Sequence, residues 1–192
     1  MKNNIHLFRK KEFVKDEEVL DKIGIRGREA NDFASLNLPI LPGFIIDSEL
    51  AGKIEDTDLR SLLKSYMKKV EKETKKGFGD PDNPMLAKIV ISPNLAIVRY
   101  PTLHNYGLTE KTLPGFNAFV GENFAFHELQ FLIKGSLEIE IKIAELEKRT
   151  KDIKTLEKTL KKLEEEMQKP VPANMREKTL EKYKALLPEG FF

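Results

Sequence analysis

The sequence contains no cysteine among its 192 residues, and it lacks any long apolar run. The absence of cysteine excludes disulfide bonds, thiol chemistry and cysteine-rich zinc sites. The first residues, MKNNIHLFRKKEF, contain no apolar stretch of signal-peptide length, and no segment reaches the length of a membrane span. These absences predict a cytoplasmic protein without a membrane partner.

An excess of one charge is also missing. The chain has 33 basic and 31 acidic residues, which leaves a formal net charge of +2, and the two signs are interleaved. A balanced surface of this kind gives no support to nucleic-acid binding. The histidines His6, His104 and His127 are scattered, and none stands at a spacing typical of metal ligands, so no metal site is predicted.

Glycine, proline and aromatic residues are frequent up to residue 135, and charged helix formers dominate after it. This change predicts two parts, a lobe over residues 1–135 and a helical hairpin over 136–192. The first part is predicted to consist of short elements separated by turns. These are strands at 4–9 and 43–47, helices at 16–22, 28–36, 56–75 and 123–134, a loop at 23–27, a two-stranded hairpin over 86–101, and irregular backbone over 102–122.

The last third of the chain carries apolar residues mostly at the a and d positions of a heptad frame, and Lys142 and Arg149 interrupt the d positions. This pattern predicts one helix over 137–168, about 48 Å long, which two prolines end, and a return helix over 174–187. An antiparallel pair that buries its own seam is the favoured arrangement. A coiled coil with a second chain is the alternative.

Five segments match, in order along the chain, motifs of one enzyme family. LNLPILPGF at 36–44 is similar to the motif GLPVPPGF, and GFGDPDNPML at 77–86 is similar to FGDPxNPLL. NYGL at 105–108 resembles NLGL, NFAFHELQFLIKG at 123–135 resembles RFAYDSYRRFIQMFG, and LEKYKALLPEGFF at 180–192 resembles the segment before an FP element. Together they resemble the N-terminal nucleotide-binding domain of pyruvate phosphate dikinase over almost the whole chain.

This resemblance implies an α+β fold of the ATP-grasp type, in which a first lobe and a helical insert precede a second lobe. The first lobe would contain a small β-sheet flanked by helices, and the insert would be the C-terminal α-helical hairpin. ATP would lie between the lobes with Mg²⁺, so ATP and Mg²⁺ are the implied cofactors. The sequence ends near the start of the family's second lobe, and the magnesium-holding carboxylates of that lobe are therefore expected to be absent.

The family's phosphate-binding loop, Gly-Gly-Lys-Gly-Ala, corresponds here to GIRG. Gly24 and Gly27 remain, whereas Ile25 replaces the second glycine, Arg26 replaces the lysine, and Arg28 replaces a further small residue. Adjacent glycines let a backbone approach a phosphate, and a β-branched residue stiffens the loop. Arginine binds phosphate as a wide planar fork rather than as a compact ammonium. The favoured interpretation is a turn that leads into a helix with exposed arginines. The alternative is a loop that binds the phosphates of a nucleotide.

A second phosphate contact of the family is also altered. In the family the strand after NPLL carries SVRSGA, whose arginine reaches the ATP phosphates, and KIVISPN occupies this place here. The arginine position falls on Val90. Arg99 would be the compensating cation, although a charge at the end of a strand is the favoured interpretation. No catalytic residue is assigned, and the resemblance assigns nucleotide binding to Gly24, Arg26, Gly27, Arg28 and Arg99.

The joint loss of the lysine, the phosphate arginine and the second lobe predicts a dikinase-like N-terminal domain that has lost catalysis. Such a domain would act as a scaffold or protein-binding module, with a protein partner or a second copy bound through the helices at 137–187. The alternative is the ATP-binding part of a split phosphotransferase whose second lobe another chain supplies. A segment cut from a longer dikinase, and a structural oligomer joined through 137–168, are further hypotheses.

Overall fold

A computed structural model describes residues 4–53, 58–94 and 100–186. Within these residues, helices are combined with short antiparallel strands, which confirms the α+β class, while the ATP-grasp architecture stays a prediction. The elements are β1 (Ile5–Phe8), α1 (Glu17–Leu20), α2 (Gly24–Ser35), β2 (Gly43–Ile46), α3 (Ser48–Ala51), α4 (Leu59–Thr74), β3 (Ala87–Ile89), β4 (Leu103–Tyr106), α5 (Leu113–Val120), α6 (Glu122–Leu146), α7 (Thr150–Met167), a 3₁₀ turn (Ala173–Met175) and α8 (Arg176–Lys184).

The backbone contacts divide the chain into two compact units. The described residues of Met1–Lys76 and Ile91–Arg99 form the first unit, and those of Gly77–Val90 and Tyr100–Phe192 form the second. The first unit is therefore discontinuous in sequence. Its short segment 91–94 reaches α2 from a distant part of the chain.

The first unit is built on the antiparallel pair of β1 and β2, in which Ile5 lies opposite Ile46 and Phe8 lies opposite Gly43. Ile5 is almost fully buried. Both strands were predicted, and both are confirmed. The start of α1 was also predicted, and the carboxylate of Asp16 caps it by accepting the N–H of Glu18 at 3.0 Å.

Helix α4 packs one face onto this pair of strands. The carboxylate of Asp58 accepts the N–H of Ser61 at 3.2 Å and so caps the start of the helix. Tyr66 and Val70 are buried on its inner face, and the ring of Tyr66 lies 5.6 Å from the ring of Phe44 in β2. The amphipathic pattern therefore predicted this helix correctly, although α3 before it was missed.

One prediction for the middle of the chain is untested and another is wrong. β3 pairs with β4 in the second unit, and the second strand of the predicted hairpin, at 95–99, lies outside the described residues, so that hairpin stays a prediction. Residues 102–122 are not irregular, because they contain β4 and α5. The hydroxyl of Thr112 donates to the carbonyl of Gly107 at 2.8 Å and accepts the N–H of Thr109 at 2.8 Å. These local bonds set up the first turn of α5, and no periodic pattern signals them.

The predicted single helix over 137–168 is also wrong, because the chain turns back between α6 and α7. Lys148 adopts the left-handed conformation with φ 59°, and the N–H of Arg149 bonds to the carbonyl of Ala144 at 2.8 Å. This is a Schellman-type end, here made without glycine. The ion pair of Lys134 with Glu164, at 2.7 Å, joins the two antiparallel helices. The helical hairpin thus consists of α6 and α7, and α8 packs beside it.

The core of the second unit gathers on the inner face of α6. Its buried members come from β4, α6, α7, α8 and the loop after β4. They are Leu103, Leu108, Phe126, Leu129, Leu132, Ile133, Leu137, Leu163 and Tyr183. The amide of Gln130 donates to the hydroxyl of Tyr183 at 2.8 Å, and that hydroxyl lies 3.3 Å from a carboxylate oxygen of Glu166. Burial, chiefly, raises the pKa of Tyr183 to about 12.

Tyr183→Phe is expected to lower the free energy of unfolding by about 1–3 kcal/mol at neutral pH, because it leaves the buried Gln130 amide without its acceptor. The wild type should lose this advantage between about pH 10 and pH 12. There the unfolded tyrosine has released its proton while the folded one keeps it, so stability falls as the pH rises. Urea unfolding of both proteins across this range measures the difference. If the free energies of unfolding of the two proteins changed in parallel with pH, the raised pKa of Tyr183 would be contradicted.

Candidate functional site

The GIRG residues form the first turn of α2 and not a loop that precedes the helix, which corrects the predicted loop at 23–27. The residue before the helix is Ile23, whose side chain cannot cap the N-terminal N–H groups. Gly24 takes the left-handed conformation with φ +66°. The start of α2 therefore depends on groups from elsewhere in the chain for its hydrogen bonds.

Ser92 and Pro93 supply these groups. The N–H of Gly27 donates to the hydroxyl of Ser92 at 3.0 Å, and the N–H of Ile25 donates to the carbonyl of Pro93 at 3.1 Å. The Ser92 hydroxyl in turn donates to the carbonyl of Ile23 at 2.8 Å. Two of the four N–H groups that a helix N-terminus offers to an anion are thus already bonded within the protein.

The two glycines are needed for packing within this unit. A Cβ atom placed on Gly24 would lie 1.9 Å from the carbonyl oxygen of Ser92, which no side chain tolerates. A Cβ atom on Gly27 would lie 2.9 Å from Cβ of Ile23 and 3.4 Å from a methyl carbon of Ile45. The close approach that glycine permits is therefore used by the protein's own backbone.

The two arginines of this turn each face an acidic side chain. Arg26 lies 3.3 Å from a carboxylate oxygen of Glu29, and its side chain is 65% exposed. Arg28 donates to the carbonyl of Leu20 at 2.9 Å and also bonds the carboxylate of Asp21. Both arginines are exposed, as predicted, but the charge of each is partly balanced within the unit.

Two further positions follow from the family resemblance, Arg99 and Val90. Arg99 lies outside the described residues. Val90, at the position of the family's phosphate arginine, follows β3 and is exposed. The structure thus brings together Gly24, Gly27 and the two helix arginines, and the capping residue Ser92 is the functional feature that the sequence interpretation missed. The sequence signal for this cap was Ile23, which precedes α2 and has no side-chain acceptor. The N–H groups of the first turn therefore need a partner from elsewhere.

A second polar cluster in the first unit surrounds Asp47, which caps α3. Its carboxylate accepts the N–H groups of Glu49 and Leu50 at 3.1 and 3.0 Å and the amide of Asn4 at 3.1 Å, and His6 Nε2 lies 3.2 Å away. Burial by itself would raise the pKa of Asp47, but these hydrogen bonds outweigh it and hold that pKa below its ordinary value. The cluster joins β1 to the end of β2, and all of its groups have structural partners.

The described residues contain no group of three or more histidine, aspartate or glutamate side chains placed to hold a metal ion. Among the same residues, none of the helices combines the length and the apolar character that crossing a bilayer demands. The acids Asp80 and Asp82 occupy a turn, where Asp80 accepts the N–H groups of Asp82 and Asn83 at 2.9 and 3.2 Å.

Sequence comparison supports the resemblance of this chain to part of a pyruvate, phosphate dikinase. The chain is 43% identical over 186 residues to the pyruvate, phosphate dikinase of Treponema pallidum (strain Nichols). The match covers 94% of this chain, and the chain spans about a fifth (21%) of the length of that relative. The resemblance predicted from the motifs is therefore confirmed. No family model matches the chain.

Proposed function

We propose that this dikinase-like segment does not bind a nucleoside triphosphate at the start of α2 and acts instead as a scaffold or protein-binding module. The observation that carries the proposal is the occupation of the helix N-terminus by Ser92 and Pro93. A phosphate would have to compete with two formed hydrogen bonds and with a backbone carbonyl packed against Gly24. Phosphate sites of this kind rely on N–H groups that are free and aimed at the anion.

The charges support the same conclusion. A triphosphate needs concentrated positive charge close to the N–H groups. Arg28 is turned toward Leu20 and Asp21, and Arg26 faces Glu29. Among the described residues, these arrangements do not fit a bound ATP with Mg²⁺.

Calorimetric titration of the chain with ATP and Mg²⁺ tests this proposal. We expect no saturable heat, because two N–H groups of the first turn of α2 and the guanidinium of Arg28 are already engaged. A titration with a control protein that binds ATP establishes the detection limit. Binding of ATP with micromolar affinity that Arg26→Ala abolishes would overturn the proposal.

The alternative, an ATP-binding part of a split phosphotransferase, has one observation in its favour. The side chain of Arg26 is 65% exposed and its contact with Glu29 is a long one, so this cation can turn toward a ligand at little cost. A second chain would then supply the missing lobe. In that case ATP should bind only when that chain is added, and Arg26→Ala should weaken binding while Arg60→Ala, on α4, should not.

A further inference from the structure

The outer face of α4 carries a row of cations. They lie four residues apart, on the side of the helix away from the buried Tyr66 and Val70, and each is exposed. The row consists of Arg60, Lys64, Lys68 and Lys72. With a rise of about 1.5 Å per residue, neighbouring charges in the row are about 6 Å apart along the axis.

None of these four cations forms an ion pair with a carboxylate in the described part of the chain. Nearby charges do have partners, because Arg9 pairs with Glu73 at 2.6 Å and Lys69 lies over the ring of Tyr66 at 4.4 Å. Helix stability explains only part of the row, because Lys72 stands in the last turn, where the helix dipole favours a cation. Like charges four residues apart repel, and Arg60 stands in the first turn, where the dipole disfavours a cation and only the nearby charge of Asp58 offsets it.

An apolar groove in the same unit meets the C-terminal end of this row at Lys72. The cavity has a volume of about 310 Å³, and Lys69 and Lys72 of α4 stand at its edge with Arg9 and Glu73. Its apolar lining comes from β1, from α4 and from the start of β2, namely Leu7, Phe8, Pro42, Gly43 and Val70. Leu41, directly before this lining, is 85% exposed. The surface thus combines a line of positive charge with a place for an apolar side chain.

We propose that α4 and this groove form a docking surface for an acidic amphipathic helix of a protein partner. Glutamates or aspartates four residues apart on such a helix would match the spacing of the cation row, and an apolar residue on the adjoining stripe would enter the groove. The inference rests on the proposed function as a protein-binding module and names the class of partner.

Two other anionic partners fit the surface less well. The apolar side of α4 is packed on β2, with the rings of Tyr66 and Phe44 5.6 Å apart, so this side is already covered and does not face a membrane. The chain as a whole has nearly equal numbers of acidic and basic residues, which gives a nucleic acid little long-range attraction.

The test measures binding of the full chain to a labelled synthetic helical peptide by fluorescence anisotropy. The peptide, about 18 residues long, carries glutamate at every fourth position and one leucine beside that row. The protein variant Lys64→Glu/Lys68→Glu should weaken binding about tenfold, mainly through slower association. The matched control is Lys154→Glu/Lys158→Glu, the same charge change at the same spacing on exposed positions of α7. Circular dichroism checks that both variants are folded.

The proposal is supported if the first variant alone weakens binding and if a peptide without its leucine also binds more weakly. If both double variants weakened peptide binding equally, binding would depend on net charge alone and not on α4, which would overturn the proposal. Tighter binding of oligothymidylate or of phosphatidylserine vesicles, lost in the first variant, would overturn it in favour of a nucleic acid or a membrane. Neither lysine lies on α2, so these outcomes are independent of the ATP titration that tests the proposed function.

Discussion

Gly24→Ala is expected to lower the free energy of unfolding by about 3 kcal/mol. A residue with a Cβ atom pays about 1–2 kcal/mol for the left-handed conformation. The overlap with the carbonyl of Ser92, at 1.9 Å, adds about 1–3 kcal/mol, because backbone atoms cannot move aside as a side chain can. The melting temperature should fall by about 10 °C.

The matched control for this change is Gly79→Ala. Gly79 also has a positive φ, +79°, but nothing lies within 4 Å of the added methyl group, so only the conformational cost of about 1–2 kcal/mol should appear. Urea unfolding measures both variants. Hydrogen exchange of the Ile25 and Gly27 amides should become faster in Gly24→Ala alone, because they lose Pro93 and Ser92 as partners. Equal costs for the two alanines would mean that Ser92 does not pack against α2 as described.

Leu129→Ala should destabilise the protein by about 3–4 kcal/mol. The side chain is completely buried at the centre of the second unit, between α6 and its neighbours, and truncation removes its apolar contacts and leaves a cavity. Thermal unfolding followed by circular dichroism measures the loss.

Leu146→Ala on the same helix is the control for this core substitution. Leu146 is 77% exposed at the end of α6, so its truncation should change stability by no more than about 0.5 kcal/mol. A loss of less than about 1 kcal/mol for Leu129→Ala would show that the site collapses around the smaller side chain, and that the core is looser than the burial indicates.

The local elements with strong periodicity were predictable from the sequence, whereas their tertiary partners were not. α4 follows from its apolar stripe, and β1 and β2 follow from short apolar runs next to glycine and proline. The start of α2 was placed too late, because Gly24 and Gly27 resemble a loop when they are taken alone. The group that makes a helix start possible there, Ser92, lies 65 residues further along the chain from Gly27.

The break between α6 and α7 illustrates a different limit. Neither glycine nor proline marks it, since Lys148 adopts the left-handed backbone itself. The interruption of the heptad pattern by Arg149 was the available sign. That arginine bonds Glu140 and Asp152 at 2.8 and 2.7 Å across the turn, so it belongs to a corner and not to a buried seam. The sequence located Gly24, Gly27 and the two arginines of α2, but the hydrogen bonds from Ser92 and Pro93 at the start of that helix depend on three-dimensional packing.

The discontinuous first unit has a consequence for the order in which the protein folds during synthesis. When translation has reached Lys76, most of this unit has been made, yet the residues that bond the Ile25 and Gly27 amides have not. The N-terminal unit can therefore reach its final arrangement only after the ribosome has added β3 and released Ser92 and Pro93. A chain released before Ser92 is made would leave the Ile25 and Gly27 amides at the start of α2 open to water.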